Sequence, residues 1–313
     1  MAKNTIQFQK GLSLAQFNEL YGTEDQCRMA LIKMRWPDGF SCPHCGCKSH
    51  SYHSVRHLFQ CTQCRRQTSV KAGTIMHSSK LALTTWFLGM YFVTQSKNDI
   101  SALELMRHIG TWYDAAWSLK HKLMSVMSDR NSIYKLSGDV QIDDAYLGGE
   151  KPGKRGRGSS NKTPFVAAVS TKEGGPQYIH LRCVKRFSKL ELKRWAQANL
   201  ETSARVLSDG LNCFTSVKKI GCTHDVIITS SFKRPQKLPQ FKWVNTVLGN
   251  VKSAITGTCR SIDGRHGDRY LAAYEYRFNR RFDLARMLPR LARISMLAGP
   301  RPYRDLILAE PSG

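Results

Sequence analysis

Two pairs of cysteines constrain the fold of this chain more than any other feature. Cys42 and Cys45 are separated by two residues, fifteen residues follow, and Cys61 and Cys64 repeat the spacing. Tight turns with this spacing can present four thiolates to one Zn²⁺ ion in a closed, tetrahedral, structural site. We therefore expect residues 38–75 to form a zinc ribbon with a short pair of strands, in which one Zn²⁺ replaces a large core. Four ligands complete the site, so other candidates nearby are predicted to be bystanders: His44, Cys47 and His57.

The charge of the chain indicates a polyanionic partner. Its 313 residues include 48 Lys and Arg but only 23 Asp and Glu, which gives a formal net charge of +25. The surplus is spread along the chain and is not confined to a tail, so DNA is the first partner to expect. A basic surface tuned for solubility is the alternative.

Targeting signals are not visible in the sequence. The N-terminal residues do not resemble a signal peptide, and the longest apolar run, residues 81–93, is too short to span a bilayer. We expect a soluble, cytoplasmic protein without a membrane partner. Its ten cysteines are then predicted to be thiols or metal ligands and not disulfides.

Helical periodicity dominates on both sides of the predicted ribbon. Residues 12–34 read as helix, and Thr23 can cap a second helix after a break. Beyond the ribbon, an apolar helix at 81–95 is followed by a capping box formed by Ser101 and Glu104, which opens a short helix. A glycine turn and another helix follow. This order is typical of a DNA-reading helix-turn-helix, although an ordinary helical hairpin has the same pattern.

The periodicity changes to that of a strand at residues 138–149. Val140, Ile142 and Tyr146 favour a strand, and two acids, Asp143 and Asp144, lie in its middle. A buried strand rarely carries a carboxylate unless a cation neutralises it, because an unpaired buried charge is very costly. A divalent metal such as Mg²⁺ is one suitable partner. An edge strand with solvated acids is the alternative.

The elements that follow this strand come in a known order. They are predicted strands at 164–170 and 177–184, a helix capped by Ser188, a strand at 204–208, a helix at 212–220, a strand at 225–229 and a last long helix. This is the ribonuclease-H-like order, in which catalytic acids lie on the first strand and at the end of the fourth. Asp143 and Asp209 occupy those two places. We therefore expect a multidomain α+β protein with N-terminal helices, a zinc ribbon, a helix-turn-helix-like helical region and a ribonuclease-H-like α/β catalytic domain with a mixed sheet.

The last long helix is predicted to carry a third element of the site. Asn245 and Lys252 are seven residues apart, nearly two turns, so both project on one face slightly off the apolar stripe, whereas Asn250 points elsewhere. Two basic stretches are predicted to contact DNA phosphates. The first is the glycine-rich loop at 150–163, and the second is an arginine-dense helical region for which a solvated face is the alternative. Their candidate residues are Lys151, Lys154, Arg155, Arg157, Lys162, Arg277, Arg280 and Arg281.

Together these residues resemble the bacterial insertion-sequence transposases of family 1595, which join a zinc ribbon to a DDE-type, ribonuclease-H-like domain. The resemblance runs from about residue 20 to about residue 285 and rests on five stretches: 35–45 (RWPDGFSCPHC), 142–149 (IDDAYLGG), 207–210 (LSDG), 243–246 (WVNT) with Lys252, and 276–281 (YRFNRR). The family usually has Glu after the first Asp, and this chain has Asp144 in that place.

The resemblance implies a DNA transposase that binds the terminal inverted repeats of its own element and catalyses Mg²⁺-dependent strand cleavage and strand transfer. It assigns the catalytic positions to Asp143, Asp209 and Asn245, the last being Asn in some members and Glu in others. These three would hold two Mg²⁺ ions, for which Mn²⁺ can substitute, with Asp143 bridging them. Lys252 would position a phosphate. Because Asn245 is neutral, Glu275, Asp144 or a DNA phosphate is needed to balance the metal charge.

The implied partners are the element ends, the target DNA and at least one further copy of the chain, since two ends must be brought together. The predicted domains are 1–37, 38–75, 76–132, 136–298 and a tail at 299–313. Two alternatives remain at this stage. One is a non-catalytic regulator built from a zinc ribbon and a helix-turn-helix, and the other is a decayed transposase that binds ends without cutting them.

Overall fold

A computed structural model describes residues 9–148, 162–228 and 238–308 of the chain. The chain divides into two compact units. The first contains the residues up to Ser96, together with Ala102–Val126 and Asp283–Leu306. The second contains Lys97–Ser101, Met127–Phe282 and the residues from Ile307. The boundaries of the five predicted domains stay predictions.

The first unit begins with two short helices, α1 (Leu14–Tyr21) and α2 (Glu24–Arg35). Each starts at a capping box, in which a hydroxyl and a glutamine three residues later exchange hydrogen bonds with the backbone. The predicted N-cap role of Thr23 is confirmed. The next helix of the unit, α3 (Leu83–Gln95), starts after Ala82, which has no side-chain cap. Glu24 supplies one instead, because its carboxylate accepts the N–H groups of Leu83 and Thr84 at 3.1 and 2.8 Å.

Between α2 and α3 lies a small antiparallel sheet of three strands, β1 (His50–His53), β2 (Leu58–Cys61) and β3 (Gln67–Ser69). One face of this sheet covers a small aromatic core. The rings of Phe40 and Phe59 stack at 4.9 Å, and Trp36 meets Phe59 edge-on at 5.0 Å. So few apolar residues would not fold alone, which is the situation in which a bound metal adds the missing stability.

The predicted order of helix, glycine turn and helix is present as α4 (Ala102–Ile109) and α5 (Tyr113–Asn131), and a DNA-reading role for it stays a prediction. Gly110 turns the chain between them with φ of +64°, a value that favours glycine. The exposed residues of α5 are Tyr113 and Asp114 in its first turn and Asp129 near its end. From Ala116 onward most of its side chains are buried, including Leu119, Leu123 and Met124.

The second unit is built on a five-stranded mixed sheet with helices on both faces. Its strands are β4 (Asp139–Leu147), β5 (Thr163–Lys172), β6 (Gly175–Cys183), β7 (Arg205–Ser208) and β8 (Thr223–Val226). They lie side by side in the order β6-β5-β4-β7-β8. β4 pairs antiparallel with β5 and parallel with β7, so the strand direction changes at β4. This is the ribonuclease-H-like topology that the sequence predicts.

The helices of this unit cover the two faces with separate cores. On one face, α6 (Lys189–Asn199) and a 3₁₀ helix (Asn212–Ile220) pack on Val140 and Ile142 of β4. On the other face, α7 (Lys242–Cys259) and α8 (Gly267–Asn279) pack on Ala145 and Leu147. Because side chains alternate along a strand, Asp143 belongs to the same face as Ala145, which is the face that α7 covers.

Two predicted elements differ from the structure. The segment 212–220 is a 3₁₀ helix, and the last strand is Thr223–Val226, about two residues before the predicted 225–229. The sequence predicted this strand from its apolar residues, but β8 is an edge strand whose side chains are mostly exposed.

After α8 the chain returns to the first unit with α9 (Met287–Leu297), which packs against α2 and α3. The last described helix is α10 (Tyr303–Ile307). Among the described residues, no helix is both long and apolar enough to cross a membrane.

Candidate active site and zinc centre

The candidate active site lies where the two central parallel strands separate. The last registered pair between β4 and β7 is Gln141 with Leu207. Asp143 and Asp209 each follow two residues later, so both lie just beyond the point where the paired strands part. In open α/β sheets, ligands usually bind where the strand order reverses, and in this sheet it reverses between β4 and β7.

Three carboxylates come together there. One oxygen from each of Asp143, Asp144 and Asp209 lies within 4.8 Å of the others. The backbone N–H of Asp144 donates to Oδ1 of Asp143 at 2.8 Å, and Oδ1 of Asp209 accepts the N–H of Leu211 at 3.1 Å. Asp144 therefore belongs to the cluster, although neighbours on a strand normally point to opposite faces.

The cluster carries more negative charge than its surroundings neutralise. Burial, together with the charges of Asp209 and Asp144, raises the pKa of Asp143 to about 7. The hydrogen bond from Asp144 and the charge of Lys252 act in the opposite direction without cancelling the shift. The three carboxylates together offer hard oxygen ligands of the kind that a divalent cation prefers. A bound cation would also offset the repulsion among them that contributes to the raised pKa of Asp143.

Helix α7 brings Lys252 to this cluster, and Gln141 fixes the start of that helix. Oε1 of Gln141 accepts the N–H of Trp243 at 3.1 Å and that of Val244 at 3.0 Å. It therefore caps from another element a helix whose own N-cap, Phe241, makes no side-chain bond. Asn245, half-buried, comes one residue after the capped N–H groups, and the exposed Lys252 follows on the same continuous helix. A site role for Asn245 stays a prediction.

Glu275 has a different place. Its fully buried carboxylate meets Nδ1 of His180 at 3.0 Å, the N–H of Leu181 at 3.0 Å and Nη1 of Arg182 at 2.8 Å. Although burial opposes ionisation, Arg182 and His180 lower the pKa of Glu275 below its usual value. Glu275 thus ties α8 to β6 and is not a member of the acidic cluster, whereas Asp144 is.

The predicted DNA-binding residues fall into two sets. Lys151, Lys154, Arg155 and Arg157 lie outside the described residues, and Lys162 is half-buried. The second set makes contacts within the protein. Arg277 is 8% exposed and forms an ion pair with Asp99 at 3.5 Å. Nη1 of Arg280 donates to the carbonyl of Tyr276 at 3.1 Å, and Nη1 of Arg281 donates to that of Gln177 at 3.1 Å. Contact of any of these residues with DNA stays a prediction.

The four predicted zinc ligands converge in the first unit. The sulfurs of Cys42 and Cys64 are 3.6 Å apart and those of Cys45 and Cys61 are 3.5 Å apart. All four lie within 4.8 Å of one another. A tetrahedral Zn²⁺ with Zn–S bonds of about 2.3 Å would place its sulfurs about 3.8 Å apart, so the residues fit one ion. Cys47 is half-buried and stands outside this group.

Both pairs of cysteines form the same turn. The N–H of Gly46 donates to the carbonyl of Cys42 at 2.8 Å, and that of Arg65 donates to the carbonyl of Cys61 at 3.1 Å. Gly46 and Arg65 occupy equivalent positions with φ of +74° and +60°. The repeated geometry explains why two residues separate the ligands in each pair.

Comparison with protein families agrees with both sites. Residues 22–67 match the transposase zinc-ribbon domain of the IS1595 group, and residues 135–279 match its ISXO2-like transposase domain. The two matched segments together cover more than half of the 313 residues. The chain belongs to the family-1595 transposases. Both the four cysteines and the three clustered acids of this transposase lie within the matched segments, and the two domains imply that it binds DNA. No curated protein matches the chain.

The sequence alone did not reveal two features of the transposase site. The capping role of Gln141 joins residues 102 positions apart, and no local pattern predicts it. The sequence also named Asp144 only as one of three candidates, with Glu275 and a DNA phosphate, for balancing the metal charge, and no local pattern decides among them.

Proposed function

We propose that this transposase binds the terminal inverted repeats of its own insertion sequence and catalyses Mg²⁺-dependent strand cleavage and strand transfer. The observation that carries the proposal is the group of Asp143, Asp144 and Asp209 beside the point where the parallel pairing of β4 and β7 ends. A regulator that only binds DNA has no use for three converging carboxylates, whose mutual repulsion costs folding stability. An active site can use them.

The residues of the chain have separate roles in this proposal. Asp143 and Asp209 hold the catalytic cations, and Asp144 adds the third charge that a neutral Asn245 does not supply. Asn245 offers an uncharged oxygen from α7. Lys252, whose charge already acts on Asp143, orients a phosphate group beside the carboxylates. Two Mg²⁺ ions bound there would activate the attacking hydroxyl and stabilise the leaving 3′-oxygen.

DNA binding is assigned mainly to other parts of the chain. The zinc ribbon, the α4–α5 region and the basic residues of the 150–163 loop are proposed to hold the element ends. Two ends must be cut and joined together, so we propose that the active form contains at least two copies of the transposase. Each phosphate neutralised by a Lys or Arg should add about 0.9 to the slope of log K against log salt.

The experiment that tests the catalytic proposal uses labelled duplexes that carry the two ends of the element, with Mg²⁺ present. Asp143→Asn and Asp209→Asn should each abolish cleavage and leave binding of the ends nearly unchanged, because binding rests on Lys and Arg elsewhere. Asp139→Asn is the matched control, since Asp139 is exposed on the same strand. Normal cleavage by either cluster variant would mean that the acidic cluster is not the catalytic site, and a wild type that binds the ends without cutting them would favour a non-catalytic DNA-binding regulator.

A second comparison tests the third position of the site. Asn245→Ala should reduce cleavage strongly, whereas Asn250→Ala, an exposed change on another face of α7, should have a mild effect. Glu275→Gln should affect cleavage only by destabilising the fold, because the partners of Glu275 are His180 and Arg182 and not the acidic cluster. A fully folded Glu275→Gln variant that binds DNA but does not cleave it would contradict this assignment.

A further inference from the structure

The zinc ribbon presents one face of its sheet to solvent. Paired residues of neighbouring strands share a face, and the register pairs Ser51 with Gln60 and Gln60 with Gln67. The next row pairs His53 with Leu58 and Leu58 with Ser69. We call these residues the ribbon face: Ser51, His53, Leu58, Gln60, Gln67 and Ser69. The other face of the sheet packs on the aromatic core and carries the zinc-ligand candidate Cys61.

Three side chains of the ribbon face hold one another in place. Oε1 of Gln60 lies 3.0 Å from Nε2 of His53 and accepts Nε2–H of Gln67 at 3.4 Å. These contacts join one side chain from each of the three strands, so the three side chains are ordered before any ligand arrives. An ordered side chain loses less conformational entropy on binding than one that is free to rotate.

The ribbon face carries no charge, but cations stand at both ends of its strands. Arg56 lies in the turn between β1 and β2, and Lys48, Arg65 and Arg66 lie at the opposite end beside the cysteine turns. All four are exposed, and within the described part of the chain none forms an ion pair with a carboxylate. The sequence has no Asp or Glu at all from residue 39 to residue 98, against seven Lys and Arg.

The dimensions of this surface fit the major groove of DNA. Neighbouring strands lie about 4.8 Å apart, so β1 and β3 are separated by about 10 Å. The major groove is about 12 Å wide and admits β-ribbons as well as helices. Helix α5 is less suited to reading bases, because its side chains are mostly buried from Ala116 onward.

We propose that the ribbon face reads base edges in the major groove of the element ends, while Lys48, Arg56, Arg65 and Arg66 contact the flanking phosphates. This inference rests on the proposed function and deepens it by naming the specificity-determining residues. A glutamine amide can bond to N6 and N7 of adenine at once, which suits the exposed Gln67. Gln60, whose Oε1 is already in contact with His53 and Gln67, holds the Gln67 amide in place. Leu58, half-buried between His53 and Ser69, offers an apolar contact to a thymine methyl group.

Selection from a library of random-sequence duplex DNA tests the inference with the full-length, zinc-loaded protein. The wild type should recover one sequence motif. Gln67→Ala and Gln60→Ala should each lower the preference for the motif over a scrambled duplex by about 5- to 100-fold, without changing the salt slope. Gln63→Ala is the matched control, because Gln63 is an exposed glutamine in a cysteine turn away from the ribbon face.

The phosphate contacts are tested by the opposite pattern. Arg56→Gln and Arg66→Gln should each reduce the slope of log K against log salt by about 0.9 and leave the recovered motif unchanged. The zinc content of every variant is measured, and only variants with one zinc per chain are compared, so loss of the fold is not mistaken for loss of a contact.

The outcomes separate this inference from the proposed function. Glutamine variants that recover the wild-type motif with undiminished preference would overturn the base-reading role of the ribbon face, but would leave the proposal of end binding intact. Wild-type binding without any preferred sequence would also overturn it. A wild-type protein that binds no duplex even at low salt would overturn the proposed function and the inference together.

Discussion

Oε1 of Gln141, on the central strand, accepts the backbone N–H of Val244 at 3.0 Å and so holds the start of α7 against the strand that carries Asp143. Trp243 donates to the same oxygen. Two of the otherwise unsatisfied N–H groups of α7 therefore depend on one side chain two residues before the acidic cluster. The helix that carries Asn245 and Lys252 is in this way fixed relative to the carboxylates.

We expect Gln141→Leu to destabilise the protein by about 1–3 kcal/mol, because it leaves two backbone donors without their acceptor. Gln141→Glu, which keeps the oxygens, should retain most of the stability. Denaturant unfolding measures the difference, and Gln197→Leu is the control, since Gln197 is exposed on α6. Equal unfolding midpoints for Gln141→Leu and Gln197→Leu would show that the cap contributes nothing.

The zinc site gives a second prediction. Cys61→Ser should lose the metal and unfold the ribbon, because the binding energy of a structural zinc is largely folding energy, about 10–16 kcal/mol in small domains. Cys47→Ser should retain one zinc per chain, since Cys47 stands outside the group of four sulfurs. Metal analysis of the purified variants distinguishes the two. Loss of zinc from Cys47→Ser alone would mean that the ligand set is wrong.

The parts of this fold that the sequence predicted are those with a local signature. The two cysteine turns repeat one hydrogen-bonding pattern within a few residues, and the strands of the mixed sheet carry long apolar runs such as residues 165–169. The β8 edge strand lacks such a run, so its position was predicted about two residues too late. Alternation, caps and turns act over a few residues, and these are the signals that a single sequence contains.

The candidate site was only partly predictable for the same reason. Asp143 and Asp209 were assigned from their places in the strand order and from the family resemblance. The cap from Gln141 to α7 and the network that occupies Glu275 connect residues about a hundred positions apart. Nothing near either residue in the sequence signals these contacts, because they arise only when the sheet and the helices pack together.

Arg277 tests whether the arginine-dense region serves the fold or the DNA. Its side chain and that of Asp99 are each 9% exposed, so removing the guanidinium takes one opposite charge away from a carboxylate that stays buried. We expect Arg277→Gln to destabilise the protein by about 3 kcal/mol and to leave the salt slope of DNA binding unchanged. Arg286→Gln is the control, because that side chain is 74% exposed and its pair with Asp283 should contribute under about 1 kcal/mol. An unchanged unfolding midpoint with a salt slope smaller by about 0.9 would support a DNA contact instead.

The acidic cluster should make the protein less stable as the pH rises when no Mg²⁺ is present. The pKa of Asp143 is raised from 3.8 to about 7 in the folded protein, so folding favours the protonated carboxyl. Its stabilising contribution is complete below pH 4 and is lost as the pH rises to about 7, where the folded protein must also ionise the group. An asparagine at this position cannot ionise, so the loss should disappear in Asp143→Asn.

At pH 8 without Mg²⁺, Asp143→Asn should therefore be more stable than the wild type by about 2–4 kcal/mol, and the difference should shrink towards pH 4. Added Mg²⁺ should raise the unfolding temperature of the wild type and have a much smaller effect on the variant, because the ion binds the ionised cluster of the folded state. Asp139→Asn, on the exposed part of the same strand, should change stability by less than about 0.5 kcal/mol at either pH. Thermal unfolding of the three proteins at pH 4 and pH 8, with and without Mg²⁺, measures these differences. A variant that is less stable than the wild type at pH 8 without Mg²⁺ would mean that Asp143 is held as a carboxylate by a partner within the protein, and the case for a metal site at this cluster would then fail.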